Sequence, residues 1–135
     1  MPFVLDNSIV SGWLLSNQGT DYTEAIARRL RKDRALAPPL LRLEYVNVLR
    51  TACRRQQMIA QEAQDAIDQL AKLPIDLDDE RPEPGLLLSL ALRYELSSYD
   101  AVYLELALRR KLPIATRDAG LAQAARAAGV GTVSE

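Results

Sequence analysis

The chain has 135 residues, of which 48% are hydrophobic and 26% are charged, values typical of a single globular domain spanning residues 1–135. Its 17 basic and 18 acidic residues nearly cancel, so the net charge argues neither for nor against binding to nucleic acid. The single cysteine excludes an internal disulfide, and the absence of histidine excludes Ser-His-Asp and Cys-His catalysis and the usual zinc sites. Carboxylates are therefore the main candidates for catalytic work.

Short apolar strands alternate with amphipathic helices along the chain, which predicts an α/β fold with a parallel sheet covered by helices on both faces. Ligands of such sheets bind at the carboxyl ends of the strands, near a topological switch point. The predicted strands are 3–6, 35–37, 74–77, 113–116 and 131–133. The predicted helices are a short one at Trp13 and Leu14, one ending at Lys32 and capped by Thr20 or Asp21, then 40–56, 61–73, 85–95, 97–110 and 121–128.

No apolar run reaches the ~20 residues that a membrane span needs, so no membrane partner is expected. The first residues lack a basic leader and the apolar core of a signal peptide. The sequence therefore predicts a cytoplasmic protein.

Four acidic residues lie far apart in the sequence, each beside or inside an apolar stretch: Asp6, Glu44, Asp100 and Asp118. Each also has an ordinary explanation. Asp6 and Asp118 follow predicted strands and can cap the next helix. Glu44 can pair with an arginine at the edge of an apolar helical stripe, and Asp100 can form a capping box with Ser97. If the fold gathers all four carboxylates, their repulsion requires cations, and both interpretations remain open.

Four segments carry these acids: FVLDNS (3–8), PLLRLEYVNVL (39–49), SSYDAVYLELA (97–107) and LPIATRDAGL (112–121). In this order they resemble the PIN-domain ribonucleases, specifically the VapC-type toxins of type II toxin–antitoxin pairs, over essentially the whole chain. The resemblance implies a three-layer α/β/α fold with a central parallel sheet of four to five short strands. It also implies that the four acids converge at one end of that sheet.

By the same resemblance, the chain is an endoribonuclease that hydrolyses RNA phosphodiester bonds with Mg²⁺ or Mn²⁺, bound as one ion or two. The implied catalytic and metal-binding residues are Asp6, Glu44, Asp100 and Asp118, with Asp6 and Asp100 holding the principal ion. The implied supporting polar residues are Ser8, Asn47 and Thr116. Arg117 lies beside an acid of the site and is the candidate for contacting an RNA phosphate.

The resemblance also implies two protein partners, a cognate antitoxin and a second copy of the chain in a homodimer. Trp13 and Tyr22, with Leu14 and Leu15 nearby, are either core residues or an apolar groove for a helix of the antitoxin. Aromatic residues make up only 5% of the chain, which argues against a base-stacking platform and favours recognition of RNA shape and single-stranded loops. The alternatives are a housekeeping PIN nuclease in RNA processing, a phosphoacceptor domain that uses Asp6, and a catalytically silent RNA-binding or interaction module.

Overall fold

The computed structural model describes residues 1–134. Within these residues, four short strands form one parallel sheet in the order β3-β2-β1-β4. Their ranges are β1 (Phe3–Leu5), β2 (Ala35–Ala37), β3 (Ile75–Leu77) and β4 (Ile114–Ala115). The helices in the described part of the chain are α1 (Asn7–Leu14), α2 (Asp21–Arg29), α3 (Leu40–Arg54), α4 (Ala60–Ala71), α5 (Pro84–Tyr94), α6 (Ser98–Arg110) and α7 (Ala119–Ala127). The prediction of a parallel sheet flanked by helices is confirmed.

Strands β1, β2 and β4 are buried on both faces because helices cover each side of the sheet, whereas the edge strand β3 is only partly buried. Phe3 and Leu5 of β1 point to one face, where they pack in a cluster with Ile26 of α2. Val4 points to the opposite face and packs in a second cluster with Leu104 of α6. Continuous apolar strands need this arrangement, since alternate residues face opposite sides of a sheet.

The topology places a switch point between β1 and β4. From β1 the chain proceeds outward through β2 to β3, and it then returns to add β4 on the other side of β1. The register pairs Leu5 with Ala115, so β1 and β4 end at the same edge of the sheet. Residues that directly follow these two strands therefore meet at the position where open α/β sheets bind ligands.

The last predicted strand, 131–133, is wrong. Thr132 forms a single bridge with Ile114, flanked by two backbone hydrogen bonds, and no regular strand follows. Gly131 has a φ of +73°, outside the extended region, which prevents the segment from continuing as a strand. The sheet therefore has four strands in the described part of the chain.

α5 differs from the other helices because none of its residues is fully buried. It packs mainly against α6, and its side chains Leu86, Leu88 and Leu92 are 47%, 60% and 72% exposed. Leu88 and Leu92 are four residues apart and therefore lie on one side of the helix, whereas Leu86 lies on another side. Within residues 1–134, no helix is both long and apolar enough to cross a membrane.

Candidate active site

Asp6 lies directly after β1 and is only 4% exposed. Its Oδ1 accepts hydrogen bonds from the Ser8 backbone N at 3.0 Å and from Ser8 Oγ at 2.6 Å, and its Oδ2 accepts one from Thr116 Oγ1 at 2.7 Å. Burial raises the pKa of Asp6, the bonds from Ser8 and Thr116 oppose this rise, and repulsion from Asp100 adds to it. Asp6 is also the N-cap of α1, so it has the capping role that its position after a strand predicts.

Ser8 and Thr116 join the two strand ends into one polar network. Their hydroxyl oxygens lie 3.3 Å apart, and Ser8 Oγ also accepts a hydrogen bond from the Arg117 backbone N at 2.8 Å. Thr116 Oγ1 accepts one from the Asp118 backbone N at 3.0 Å. Two hydroxyl groups thus fix the position of Asp6 relative to the segment that carries Asp118.

Asp118 is exposed and caps α7, where its Oδ2 accepts a hydrogen bond from the Leu121 backbone N at 2.7 Å. Capping fixes one carboxylate oxygen at the helix start. The other oxygen, Oδ1, receives no hydrogen bond within the described residues. Asp118 thus combines the structural role that its sequence position predicts with a place at the same edge as Asp6.

Glu44 projects from α3 and is half-buried, and its partner is a tyrosine rather than the arginine that the ordinary interpretation requires. Tyr103 on α6 donates its hydroxyl hydrogen to Glu44 Oε1 at 2.5 Å and is itself 1% exposed. Burial raises the pKa of Glu44, the Tyr103 hydrogen bond lowers it, and repulsion from Asp6 and Asp100 raises it.

Tyr103 is a positioning residue that the sequence did not reveal. Burial raises its pKa, and the Glu44 carboxylate raises it further, so the phenol remains protonated and keeps donating. The available signal was its position three residues after Asp100 on α6, which places both side chains on one helical face.

Asp100 lies in the first turn of α6, whose N-cap Ser97 accepts a hydrogen bond from the Asp100 backbone N at 3.1 Å. No described residue donates a hydrogen bond to its carboxylate. Burial raises the pKa of Asp100, and repulsion from Asp118 adds to the rise. Because Asp100 also repels Asp6 and Glu44, it lies electrostatically at the centre of the four acids.

The four acids have no basic partner in the described part of the chain. The six ion pairs found there use other acids, namely Asp33, Asp76, Asp78 and Glu105. Carboxylate oxygens without donors on Asp100, Glu44 and Asp118 are the hard ligands that Mg²⁺ and Mn²⁺ prefer. The donor set therefore fits such an ion. Among residues 1–134, however, no three Cys, Asp or Glu side chains already surround one point as ion ligands do.

The two remaining predicted residues lie at the border of this cluster. Asn47 is exposed one turn after Glu44 and makes no hydrogen bond with the acids. The Arg117 guanidinium bonds the backbone carbonyls of Ser8, through Nε at 2.8 Å and Nη2 at 2.5 Å, and of Gln18, through Nη1 at 2.6 Å. These three bonds occupy three of its five N–H donors, so its predicted phosphate contact, which stays a prediction, is limited to the other two.

The fold and the cluster define a class: a parallel α/β protein with an acidic site at the carboxyl ends of β1 and β4. The family model of the PIN domain matches residues 3–127, and the chain belongs to the PIN domain family. PIN domains are generally metal-dependent nucleases.

A solved structure supports the fold independently. The chain is similar to the crystal structure of PAE2754 from Pyrobaculum aerophilum, with a TM-score of 0.68 and 20% sequence identity over 92% of this chain and 79% of that one. At this identity, the likeness shows the fold alone. No curated protein matches the chain significantly.

Proposed function

We propose that this chain is an endoribonuclease dependent on Mg²⁺ or Mn²⁺ and that it acts as the toxin of a type II toxin–antitoxin pair. The observation that carries the proposal is the environment of Asp100. Its carboxylate has no donor among the described residues, is repelled by three other acids, and lies beside the switch point of the sheet. Partly burying such a carboxylate without a cation costs free energy, and carboxylates of this kind are typical of functional sites.

In this proposal, the four acids hold one or two ions, which supply Lewis acidity for hydrolysis of an RNA phosphodiester. Ser8 and Thr116 hold the Asp6 carboxylate by three hydrogen bonds, so its oxygens keep a fixed direction. Tyr103 holds one oxygen of Glu44 and leaves the other available. The Asp100 carboxylate receives no hydrogen bond within the described residues, so both its oxygens would be available to hold the ion.

The proposal is tested by incubating the purified chain with RNA in Mg²⁺, in Mn²⁺ and in excess chelator, with mapping of the cleaved ends. We expect metal-dependent cleavage that leaves a 5′ phosphate and a 3′ hydroxyl. Asp100→Asn abolishes it with the fold retained by circular dichroism, whereas the matched control Asp68→Asn, on the exposed face of α4, leaves it intact. Full activity of Asp100→Asn, or cleavage in chelator, contradicts the mechanism. Metal-independent RNA binding without cleavage supports the silent module instead.

An apolar cavity of about 400 Å³ supports the toxin over a housekeeping nuclease, because it fits the apolar face of a partner helix. It lies between α1, α2 and α4. Trp13 and Leu14 line it, and the Trp13 ring is fixed by a hydrogen bond from Nε1 to the Thr23 carbonyl at 2.7 Å. Tyr22 instead donates to the Val133 carbonyl at 2.6 Å, and Leu15 lines other depressions. The other lining residues are Ala27, Leu30, Ala66, Gln69, Leu70 and Leu73.

The antitoxin assignment is tested with a charge placed in this cavity. Expression of the chain is expected to arrest growth, and a small protein encoded directly upstream is expected to relieve the arrest. Ala66→Glu keeps the nuclease active but escapes neutralisation, because a buried charge opposes docking of an apolar helix. Gln64→Glu on the exposed face of α4 is the matched control and remains neutralised. RNA cleavage without growth arrest favours the housekeeping nuclease.

We further propose that the exposed leucines of α5 contact a second copy of the chain. Burying a leucine side chain contributes about 1.5–3 kcal/mol, so Leu88 and Leu92, which lie one turn apart on one side of α5, can together stabilise a dimer. Leu88→Glu is expected to shift the chain from dimer to monomer in sedimentation velocity. A wild-type chain that sediments as a monomer at micromolar concentration contradicts this part of the proposal.

A further inference from the structure

A polar trough runs away from the acidic site between the 15–20 loop and α3. It consists of two depressions, of about 770 and 310 Å³, that share Ser11, Asn17 and Gln18. One depression reaches Ser8, Thr20, Arg117 and Asp118, and the other reaches Asn47, Thr51, Arg55 and Gln57. Because the amide side chains of Asn17, Gln18, Asn47 and Gln57 line it, we call it the amide trough.

The amides are concentrated there. The chain has ten Asn and Gln residues, and four of them line this one feature. All four are exposed, and no residue in the described range 1–134 hydrogen-bonds their side-chain amides. Each amide group therefore presents a free donor and a free acceptor to whatever enters the trough.

The charge of the trough favours hydrogen bonding over simple attraction of phosphate. Its charged lining residues are two cations, Arg55 and Arg117, and one anion, Asp118. Arg117 already bonds two backbone carbonyls, so little of its charge-assisted bonding capacity remains. A lining of amides and hydroxyls with few charges suits the edges of nucleobases, which also combine donors and acceptors.

The backbone holds the trough in a defined shape. Arg117 fastens Gln18 to Ser8, and this contact keeps the loop against the start of α1. At the other end, α3 stops where Gln56 adopts a left-handed conformation with φ of +60°, and the Gln57 backbone N then bonds the Ala52 carbonyl at 2.9 Å. Two of the amides thus come from segments that the fold fixes, as a site for selective recognition requires.

The trough also reaches the proposed chemistry. Asp118 lines one end, where Ser8 joins the lining to Asp6 through its hydrogen bonds. Asn47 follows Glu44 by one helical turn on α3. An RNA strand that leaves the acidic site along this path places its next bases against the amides.

We propose that the amide trough reads the bases of unpaired RNA on one side of the scissile bond and so sets the sequence preference of cleavage. This inference rests on the proposed nuclease function and adds to it a subsite with a defined ligand, single-stranded nucleotides adjacent to the cut. Asn17 lines both depressions, whereas Gln57 lines only the one farther from Asp118, so each is expected to affect a different nucleotide position.

The experiment uses a pool of unstructured RNA oligonucleotides with randomised positions, and sequencing of the cleaved ends gives the base preference at each position. Asn17→Ala and Gln57→Ala are each expected to reduce the preference at one position by about fivefold or more, on the same side of the cut. The product ends and the metal requirement remain those of the wild type. Gln123→Ala, an exposed amide on α7 outside the trough, is the matched control and leaves the preference unchanged.

Two results overturn the inference while the proposed function stands: wild-type cleavage without any base preference, or a preference that both variants retain. If the variants keep the base preference of cleavage but are neutralised less well by the upstream-encoded protein, the trough binds that protein instead of RNA. If the wild type cleaves no RNA, the inference is tested by binding instead. The affinities of the chain for labelled oligo-A, oligo-C, oligo-G and oligo-U are then measured in chelator. Affinities that differ among the bases, and that Asn17→Ala makes equal, support the trough, and equal wild-type affinities refute it.

Discussion

Helix α6 carries two acids only five residues apart whose surroundings are opposite in kind. Asp100 at its start belongs to a cluster of four carboxylates without a basic partner in the described chain. Glu105 is buried more deeply, at 6% exposed, yet it is fully compensated. Arg109 bonds both Glu105 oxygens at 3.0 Å and both Asp78 oxygens at 3.1 and 2.6 Å.

The difference shows in the direction of the pKa shifts. Hydrogen bonds from Arg109 hold the pKa of Asp78 below its usual value, whereas burial raises the pKa of Asp6 and of Asp100. The fold therefore favours the charge of one region and opposes the charge of the other. An acid in an apolar stretch is thus structural where an arginine meets it, and a functional candidate where none does.

The largest expected effect is a difference in RNA cleavage between variants of the two acids of α6. Asp100→Asn is expected to reduce RNA cleavage by about 100-fold or more, because it removes a charged ligand of the proposed ion. Glu105→Gln keeps the activity of each folded molecule, because its partner Arg109 lies in the other region. This difference is measured as the cleavage rate of each variant, normalised to its folded fraction. Equal losses of activity in Asp100→Asn and Glu105→Gln would contradict the distinction between the two regions.

Removing a charge from the compensated region is expected to cost stability. Asp78→Asn leaves Arg109 with weaker partners and lowers the free energy of unfolding at pH 7 by about 1.5–3 kcal/mol, the range for hydrogen bonds to charged groups. Urea unfolding measures the change. The exposed Asp68→Asn is the control and stays within about 0.5 kcal/mol of the wild type.

The same pair has a pH signature. Because the folded pKa of Asp78 is lowered, its contribution is fully present above the unfolded pKa of about 3.9 and is lost as pH falls through the lower folded pKa. The stability difference between wild type and Asp78→Asn therefore narrows when the pH is lowered below about 4. A difference that stays constant down to pH 2 contradicts the ion pair as its source.

In the uncompensated region, removing a charge is expected to stabilise the chain. Asp100→Asn relieves repulsion with Asp6, Glu44 and Asp118 and raises the free energy of unfolding in chelator by about 0.5–2 kcal/mol. Mg²⁺ raises the melting temperature of the wild type but not that of the variant, because an ion that binds only the folded state stabilises it. If Mg²⁺ raises the melting temperature of the wild type and of Asp100→Asn equally, the ion binds away from Asp100.

The smallest effect concerns the tyrosine that holds Glu44. Tyr103→Phe removes one hydrogen bond and is expected to cost about 0.5–1.5 kcal/mol of stability. Cleavage falls by less than tenfold, because Glu44 keeps its charge but loses its fixed orientation. Tyr45→Phe on α3 serves as the control. A loss as large as that of Asp100→Asn would make Tyr103 a direct participant in the chemistry.

The local elements were predictable because each is encoded in a short window. β1 and β4 are continuous apolar runs, and the strand-end positions of Asp6 and Asp118 indicated that both lie at one edge. The resemblance of four ordered segments predicted a PIN domain, which the match over residues 3–127 confirms, whereas its finer assignment to the VapC-type toxins stays a prediction. The catalytic roles of the four acids stay predictions.

Contacts between distant segments could not be predicted. Tyr103 meets Glu44 across 59 positions, and Arg117 meets Ser8 across 109, because the sheet order brings these segments together. The sequence position of Arg117 beside an acid indicated a phosphate contact. In the structure, three of the five N–H groups of its guanidinium donate to the backbone carbonyls of Ser8 and Gln18. The strand predicted at 131–133 failed because periodicity does not reveal the positive φ of Gly131.

Three helices begin at the acidic site: α1 after Asp6, α6 just before Asp100, and α7 after Asp118. The start of an α-helix carries about half a positive elementary charge from its aligned peptide dipoles. Three such helix starts therefore offset part of the repulsion among the carboxylates, and they do so without any lysine or arginine. A partial charge fixed in the backbone cannot rotate away or form a competing ion pair, so it stabilises the carboxylates while their remaining oxygens stay available to a cation.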